Sequence, residues 1–241
     1  MTLLQSKVTH ASYSDIASEY YDEALHPTCA NFRQLSLRYL NKLLERGEPF
    51  TASSSQSILE TGAGLSVFAG LISSEIALNN KLVLQDRSCE MLAHSLNANV
   101  GPAEYIVCDA RQIPVQENEF DLIVSSLADP YNDSHLWGEI SRVIKPGGSW
   151  ILTTPSIDWA GQFREKEELK FAEFLRADGQ IFSVPSFTYS VGQMINSVEA
   201  HGARIQEYCG MTTSSVAGNV SEKLNVGNNP VVVDCYWFSF D

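Results

Sequence analysis

Glu60, Asp86, Asp109 and Ser126 each stand at the end of a short apolar run in this chain. Carboxylates so placed offer only acceptor sites, and a rim of them tolerates a cationic ligand. Glu60 also opens Glu60-Thr61-Gly62-Ala63-Gly64, after which Val67, Phe68, Leu71 and Ile72 recur at helical spacing. A strand, a glycine turn and a helix in that order bring backbone N–H groups to the edge of a crevice. Glycine there lets a ligand touch the backbone. Further candidates follow in Asp129-Pro130-Tyr131, where Asp129 can hold or deprotonate an acceptor, or simply form a turn. Histidine as a residue type titrates near neutrality, so His26 and His135 can serve as bases or as structural groups. Tyr13, Tyr20 and Tyr21 can meet a ligand or pack in an amphipathic segment.

Composition narrows the partners. The formal net charge is −13, and residues 101–141 hold Glu104, Asp109, Glu117, Glu119, Asp121, Asp129, Asp133 and Glu139 against Arg111 alone. A protein that grips nucleic acid shows a basic face, so that class of partner is not expected; the acidity can also serve solubility. The chain has 241 residues, enough for one sizeable α/β domain with a lid. No apolar run has bilayer length, and residues 1–14 lack a signal-type apolar core, so a cytoplasmic location without membrane contact is expected. Five scattered cysteines, none in Cys-x-x-Cys, suit reduced thiols and neither disulfides nor a metal site.

The elements that must position these residues alternate. After a loose arm over 1–12, a helix is predicted from a Ser14 cap. It is interrupted at Leu25-His26-Pro27, and a second helix runs from about Cys29 to Arg46 with Gly47 as its stop. Strands are predicted at Gln56–Thr61, Lys81–Gln85, Glu104–Cys108, Phe120–Ser125 and Trp150–Thr154. Helices are predicted at Ser66–Leu78, from a Ser88 cap to about Asn99, and at Ser134–Ile144, where Lys145-Pro146-Gly147-Gly148 stops the last. The rhythm predicts a Rossmann-like α/β fold. Its seven-stranded sheet is mostly parallel, with helices on both faces and an antiparallel last strand at the far end. Beyond Pro155 come a charged helix over 164–177, a helix from a Ser190 cap to about Gly202, and strands at Ala203–Cys209 and Val231–Phe240. The expected division is an N-terminal helical cap over 1–52 and a main domain over 53–241, with an aromatic-rich insertion at about 156–190.

Four segments together resemble the class I S-adenosylmethionine-dependent methyltransferases. Ile58-Leu59-Glu60-Thr61-Gly62-Ala63-Gly64 is similar to the family's first motif, and Asp86 stands where the family places an acid. Cys108-Asp109-Ala110-Arg111-Gln112-Ile113-Pro114 resembles the segment after the third strand. Phe120-Asp121-Leu122-Ile123-Val124 and Val143-Ile144-Lys145-Pro146-Gly147-Gly148 resemble the later ones. Leu65-Ser66 departs from the family's frequent third glycine. A nicotinamide-binding Rossmann domain would need glycine at Val67, which counts against that rival.

The resemblance implies that S-adenosyl-L-methionine is the cofactor and that no metal is used. Asp86 would accept from the ribose diol, with Arg87 beside it. Asp109 would accept from the adenine amino group while the Ala110 N–H donates to the ring. Glu60, Thr61, Gly62, Ala63, Gly64, Ser126, Leu127, Tyr13 and Tyr20 would line the remainder, Glu60 facing the ammonium end of the methionine moiety. Methyl transfer is an in-line displacement governed by alignment, so no fixed triad is required. Asp129, His26 and Tyr21 are the candidate catalytic residues. The expected acceptor is a small molecule methylated at oxygen or nitrogen. The alternatives are a protein or nucleic acid acceptor and a cofactor-binding scaffold without turnover. A homodimer is compatible with these expectations. In relatives the insertion builds a substrate lid, so Trp159, Phe163, Phe171, Phe174, Phe182, Phe187 and Tyr189 either line a pocket or pack a core.

Overall fold

The computed structural model describes residues 9–10, 12–49, 55–72, 80–164, 171–228 and 230–241. The chain begins with β1 (Thr9–His10), α1 (Tyr13–Ile16) and α2 (Pro27–Arg46). There follow β2 (Ser57–Thr61), β3 (Lys81–Asp86), α3 (Cys89–Ala98), β4 (Glu104–Val107), β5 (Phe120–Ser125) and α4 (Ser134–Val143). The remainder comprises β6 (Ile144–Pro155), α5 (Ile157–Ala160), β7 (Phe171–Leu175), β8 (Ile181–Pro185), α6 (Val191–Glu199), β9 (Ala203–Thr212) and β10 (Val231–Phe240).

Seven strands form one sheet in the order β4-β3-β2-β5-β6-β10-β9. The first five run parallel, in pairs such as Leu59 with Val83 and Leu59 with Ile123. β10 is antiparallel to both of its neighbours. It was expected at the far end, but it lies between β6 and β9, and β9 is the edge. Burial explains the placement: Val232, Val233, Cys235, Tyr236 and Phe238 are all fully buried, as suits an inner strand, whereas β9 alternates exposed and half-buried residues from Arg204 to Tyr208. One face of the sheet packs on α2 through Phe32, Leu35, Tyr39, Leu40 and Leu43. The other packs on α4 and α6 around Trp150, a fully buried side chain whose indole N–H donates to Ser125 Oγ at 2.9 Å.

Local signals set most boundaries. Pro27 starts α2, where its missing N–H costs nothing, and Gly47 closes it at φ 69°. Ser88 caps α3 by accepting from Met91 N at 3.1 Å, and Asp133 caps α4 from His135 N and Leu136 N. The predicted Ser14 cap is corrected to Ser12, which pairs reciprocally with Asp15; α1 is a single turn. β6 begins at Ile144, directly after α4, so Lys145-Pro146-Gly147-Gly148 is part of a strand. The predicted helix over 66–78 is a run of turns as far as Ile72, and its remainder lies outside the described residues.

The charged helix predicted over 164–177 is overturned where it can be seen. Phe171–Leu175 is β7, paired antiparallel with β8 from Phe171↔Pro185 to Leu175↔Ile181. The deciding signal is Asp178-Gly179: Gly179 takes φ 81° and closes the loop with its N–H on Arg176 O. β1 pairs in parallel with β8, giving a second sheet of three strands. Its inner face joins Phe174, Phe182 and Val184 to Ile16, with Tyr13 and Tyr20 packed alongside. Arg176 reaches Glu19 at 3.1 Å and ties the hairpin to the N-terminal segment. Of the other insertion aromatics, Trp159 packs on Phe32, Tyr189 packs on Trp137, and Phe163 is exposed.

Candidate functional site

The parallel strands β2, β3 and β5 deliver their last residues to one rim, and the glycine turn after β2 is shaped by Glu60. This carboxyl is buried, accepts from Ser66 Oγ, and takes Val67 N at 3.0 Å. Burial pushes its pKa up to about 7 against those bonds. Gly64 N donates to Asp86 Oδ2 at 2.9 Å, Ser95 Oγ donates to Gly64 O at 2.6 Å, and Ala63 N donates to Gln85 O at 2.9 Å. Gly62 and Gly64 both adopt positive φ, 59° and 45°. A Cβ on Gly62 would overlap the Tyr131 hydroxyl, and one on Gly64 would overlap that of Tyr21. Tyr131 donates to Thr61 O at 2.9 Å and Tyr21 accepts from Leu65 N at 2.6 Å. The turn is therefore glycine-rich to admit two of the protein's own phenols.

Asp86 joins the turn to α3, with Oδ2 on Gly64 N and Oδ1 on Ser88 N at 2.9 Å. The Arg87 N–H also bonds this carboxyl, and a carboxylate with about four acceptor sites retains capacity beyond these three donors. Burial raises its pKa while bonds from Ser88 and Gly64 N–H oppose the rise. Asp109 is clamped by Arg111, whose Nε lies 2.9 Å from Oδ1 and whose terminal nitrogen lies 2.8 Å from Oδ2. That clamp holds its carboxyl down at about 2. Gln85 spans the space between, giving its amide to Cys108 O at 2.6 Å and accepting from Gly62 N at 3.3 Å.

These groups enclose a cavity of about 560 Å³, within the size range of small-molecule sites. Of the residues singled out from sequence, Tyr13, Tyr20, Tyr21, Glu60, Gly62, Ala63, Asp86, Arg87, Asp109, Ala110, Ser126 and Leu127 line it. Leu127 does so at φ 53°, a left-handed conformation uncommon outside glycine, pinned by Thr153 Oγ1 on its N–H at 3.0 Å. Thr61 and Gly64 stand behind the wall, and Thr61 shares its hydroxyl with Ser125 at 2.6 Å. Asp129 is buried outside the cavity, accepting from Ser186 Oγ at 2.5 Å. His26 faces Glu19 and the Phe174 ring, and burial lowers its pKa. His135 is exposed beside Asp133.

A family model described as a methyltransferase domain matches residues 59–152, from within β2 to within β6. Residues 59–152 are thus a methyltransferase domain, and the fold built around them is that of class I S-adenosylmethionine-dependent methyltransferases. The methyltransferase domain and its surroundings are 29% identical over 160 residues to a malonyl-(acyl-carrier protein) O-methyltransferase of Marinomonas sp., covering 65% of this chain and 55% of that protein. Identity is 26% over 170 residues to the ubiquinone/menaquinone biosynthesis C-methyltransferase UbiE of Vibrio parahaemolyticus, covering 63% and 64%. The chain thus spans less than two thirds of these curated relatives. A solved S-adenosylmethionine-dependent methyltransferase from Clostridium acetobutylicum superimposes with a TM-score of 0.61 over 95% of this chain and 98% of that one. At 14% identity this likeness concerns the fold.

Arg33, Gln85 and Met91 also line the cavity and were not found from the sequence. Gln85 had a signal, as the one polar residue in Leu82-Val83-Leu84-Gln85. Arg33 had a weaker one, a cation next to the apolar stripe of α2. Its guanidinium lies over the Tyr21 ring at 4.9 Å and the Tyr20 ring at 5.6 Å. Arg87 and Arg111 pair with Asp109, whereas no carboxylate lies within ion-pair distance of Arg33 among the described residues.

Proposed function

We propose that the chain transfers the methyl group of S-adenosylmethionine to an oxygen or nitrogen of a small-molecule acceptor. The observation that carries this reading is the pair of acids at adjacent strand ends, Asp86 and Asp109, facing one cavity across the glycine turn. The remaining acceptor capacity of Asp86 suits a ribose diol. Asp109 and Ala110 suit the adenine edge, with one lone pair of Asp109 Oδ2 left by the arginine clamp. Arg33 suits the methionine carboxylate, since it is the cation of the cavity without an acidic partner among the described residues. Glu60 is occupied by Ser66 and Val67 and contributes by holding the turn. The bound cofactor supplies an electrophilic methyl on sulfur; the residues of this chain bind, orient and exclude water. Tyr13, Tyr20, Leu127, Pro130 and Tyr131 form the wall beyond the turn and suit an apolar or aromatic acceptor.

Enclosure by these side chains, the charge of −13 and the ubiquinone/menaquinone biosynthesis named for one relative favour a metabolite over a macromolecule. No helix among the described residues is long and apolar enough to cross a membrane. Calorimetric titration with S-adenosylmethionine, S-adenosylhomocysteine and NAD tests the cofactor, with binding expected for the first two alone. A labelled-methyl screen over metabolite, protein and RNA fractions tests the acceptor, with label expected in a low-mass product. Label in a macromolecular fraction would overturn the acceptor class. Tight cofactor binding without any transfer would make the chain a scaffold.

A further inference from the structure

The β7–β8 hairpin is anchored to the methyltransferase domain at its base through Asp129, by its buried carboxylate and its backbone carbonyl. Asp129 follows β5 on a 3-10 turn with Pro130 and Tyr131, both of which line the cavity. Its Oδ2 accepts from Ser186 Oγ at 2.5 Å, and its backbone O accepts from Phe187 N at 2.7 Å, directly beyond β8. Arg164 donates to Ser186 Oγ at 3.0 Å from the other side. The hairpin's inner residues Phe174 and Phe182 then pack around Tyr13 and Tyr20, which also line the cavity.

We infer that Asp129 is a positioning residue, which registers the β7–β8 hairpin against the turn carrying Pro130 and Tyr131, and that it takes no proton from the acceptor. Two walls of the acceptor side are thereby set by one residue: the turn through the chain itself, and Tyr13 and Tyr20 through Ser186 and the hairpin. The inference rests on the proposed function for the identity of that side of the cavity, but the clamp itself can be tested without cofactor. The groups facing Asp129 are Arg164, Tyr13, Tyr20, Cys29 and Tyr131. Burial raises the three phenols and pushes the Cys29 thiol up to about 12, so none of these titrates near neutrality. Burial raises Asp129 itself to about 6. A carboxyl raised on folding contributes fully below its unfolded pKa and loses that contribution as pH rises through the folded one.

Peptide-level hydrogen exchange on the full chain reads the clamp, corrected for base-catalysed exchange. Asp129→Ala and Ser186→Ala should each speed exchange over 171–187 by about tenfold, leaving β2 to β6 unchanged. Asp129→Asn keeps an acceptor for Ser186 and should restore protection. In the unsubstituted chain, protection of 171–187 should fall as pH rises from about 5 to about 7.5, and Asp129→Asn should flatten that profile. Affinity for S-adenosylhomocysteine should stay within about twofold in all three variants. Unchanged hairpin exchange in both alanine variants, or a pH profile that survives Asp129→Asn, would overturn the inference. Loss of protection throughout β2 to β6 would reduce Asp129 to general stability and overturn it too. Failure of the unsubstituted chain to bind S-adenosylhomocysteine would instead remove the cofactor reading and leave the exchange result standing.

Discussion

Gly64→Ala separates two reasons for glycine in the turn. The backbone there sits at φ 45°, and an L side chain in that region costs about 1–2 kcal/mol. The added Cβ overlaps the Tyr21 hydroxyl, while Met91 Cε and Tyr21 Cζ stand at ordinary or slightly tight separations of 3.3 and 3.5 Å. The hydroxyl must leave, and with it goes its bond from Leu65 N, worth about 1 kcal/mol. Gly64→Ala should therefore lose about 2–3 kcal/mol. Tyr21→Phe alone should lose about 1 kcal/mol, because it removes the same bond. In the double variant the bond is lost once and the obstacle is gone, so the expected loss is again about 2–3 kcal/mol, not the additive 3–4. Urea denaturation of the four proteins, extrapolated linearly with a common slope, measures the coupling. Losses that sum to within about 0.5 kcal/mol would refute the account, leaving backbone strain as the whole cost of a side chain at this position.

Asp86→Ala should weaken S-adenosylhomocysteine binding by about 1–3 kcal/mol, read by calorimetry on a variant whose circular dichroism is unchanged. Unaltered affinity would take the ribose contact away from Asp86. Leu127→Gly should be more stable than Leu127→Ala by about 1 kcal/mol, since only glycine relieves the positive φ; equal midpoints in urea would deny strain there. Glu60 has its pKa raised to about 7 by burial, so its contribution to stability is complete below its unfolded pKa and declines as pH rises through 7. Glu60→Gln should make the decline in unfolding free energy between about pH 5 and pH 8 shallower, by at most about 3 kcal/mol over the range. An identical slope in both proteins would mean that the carboxyl is not desolvated.

The parallel half of the fold was readable because its strands are built on short apolar runs such as Leu82-Val83-Leu84 and Leu122-Ile123-Val124, each closed by a polar or glycine residue. Phe120–Ser125 and Val231–Phe240 coincide with observed strands, and the Ser88 and Ser190 caps do what their side-chain oxygens allow. The hairpin was not readable, because Phe171, Phe174 and Phe182 carry no helical or strand period strong enough to outweigh the surrounding charges. The Asp178-Gly179 turn was the better evidence. Within the site, residues at strand ends were legible from position alone. Asp129 was not: its neighbour Ser186 lies 57 residues away, and nothing local announces that a serine will turn a carboxylate from a cavity. Arg33 escaped for the same reason, since which face of α2 meets the turn is settled by packing across the sheet.

The position of β10 orders the assembly of the sheet in time. Residues 203–212 are synthesised before residues 231–240, yet among the described residues β9 pairs in the sheet with β10 alone. A nascent chain holding β2 to β6 can zip those strands together, while β9 must wait with its backbone unpaired until the later segment slides in beside β6. That delay leaves Ile205 and Met211 open to other chains, and any lesion in β10 should release two strands at once.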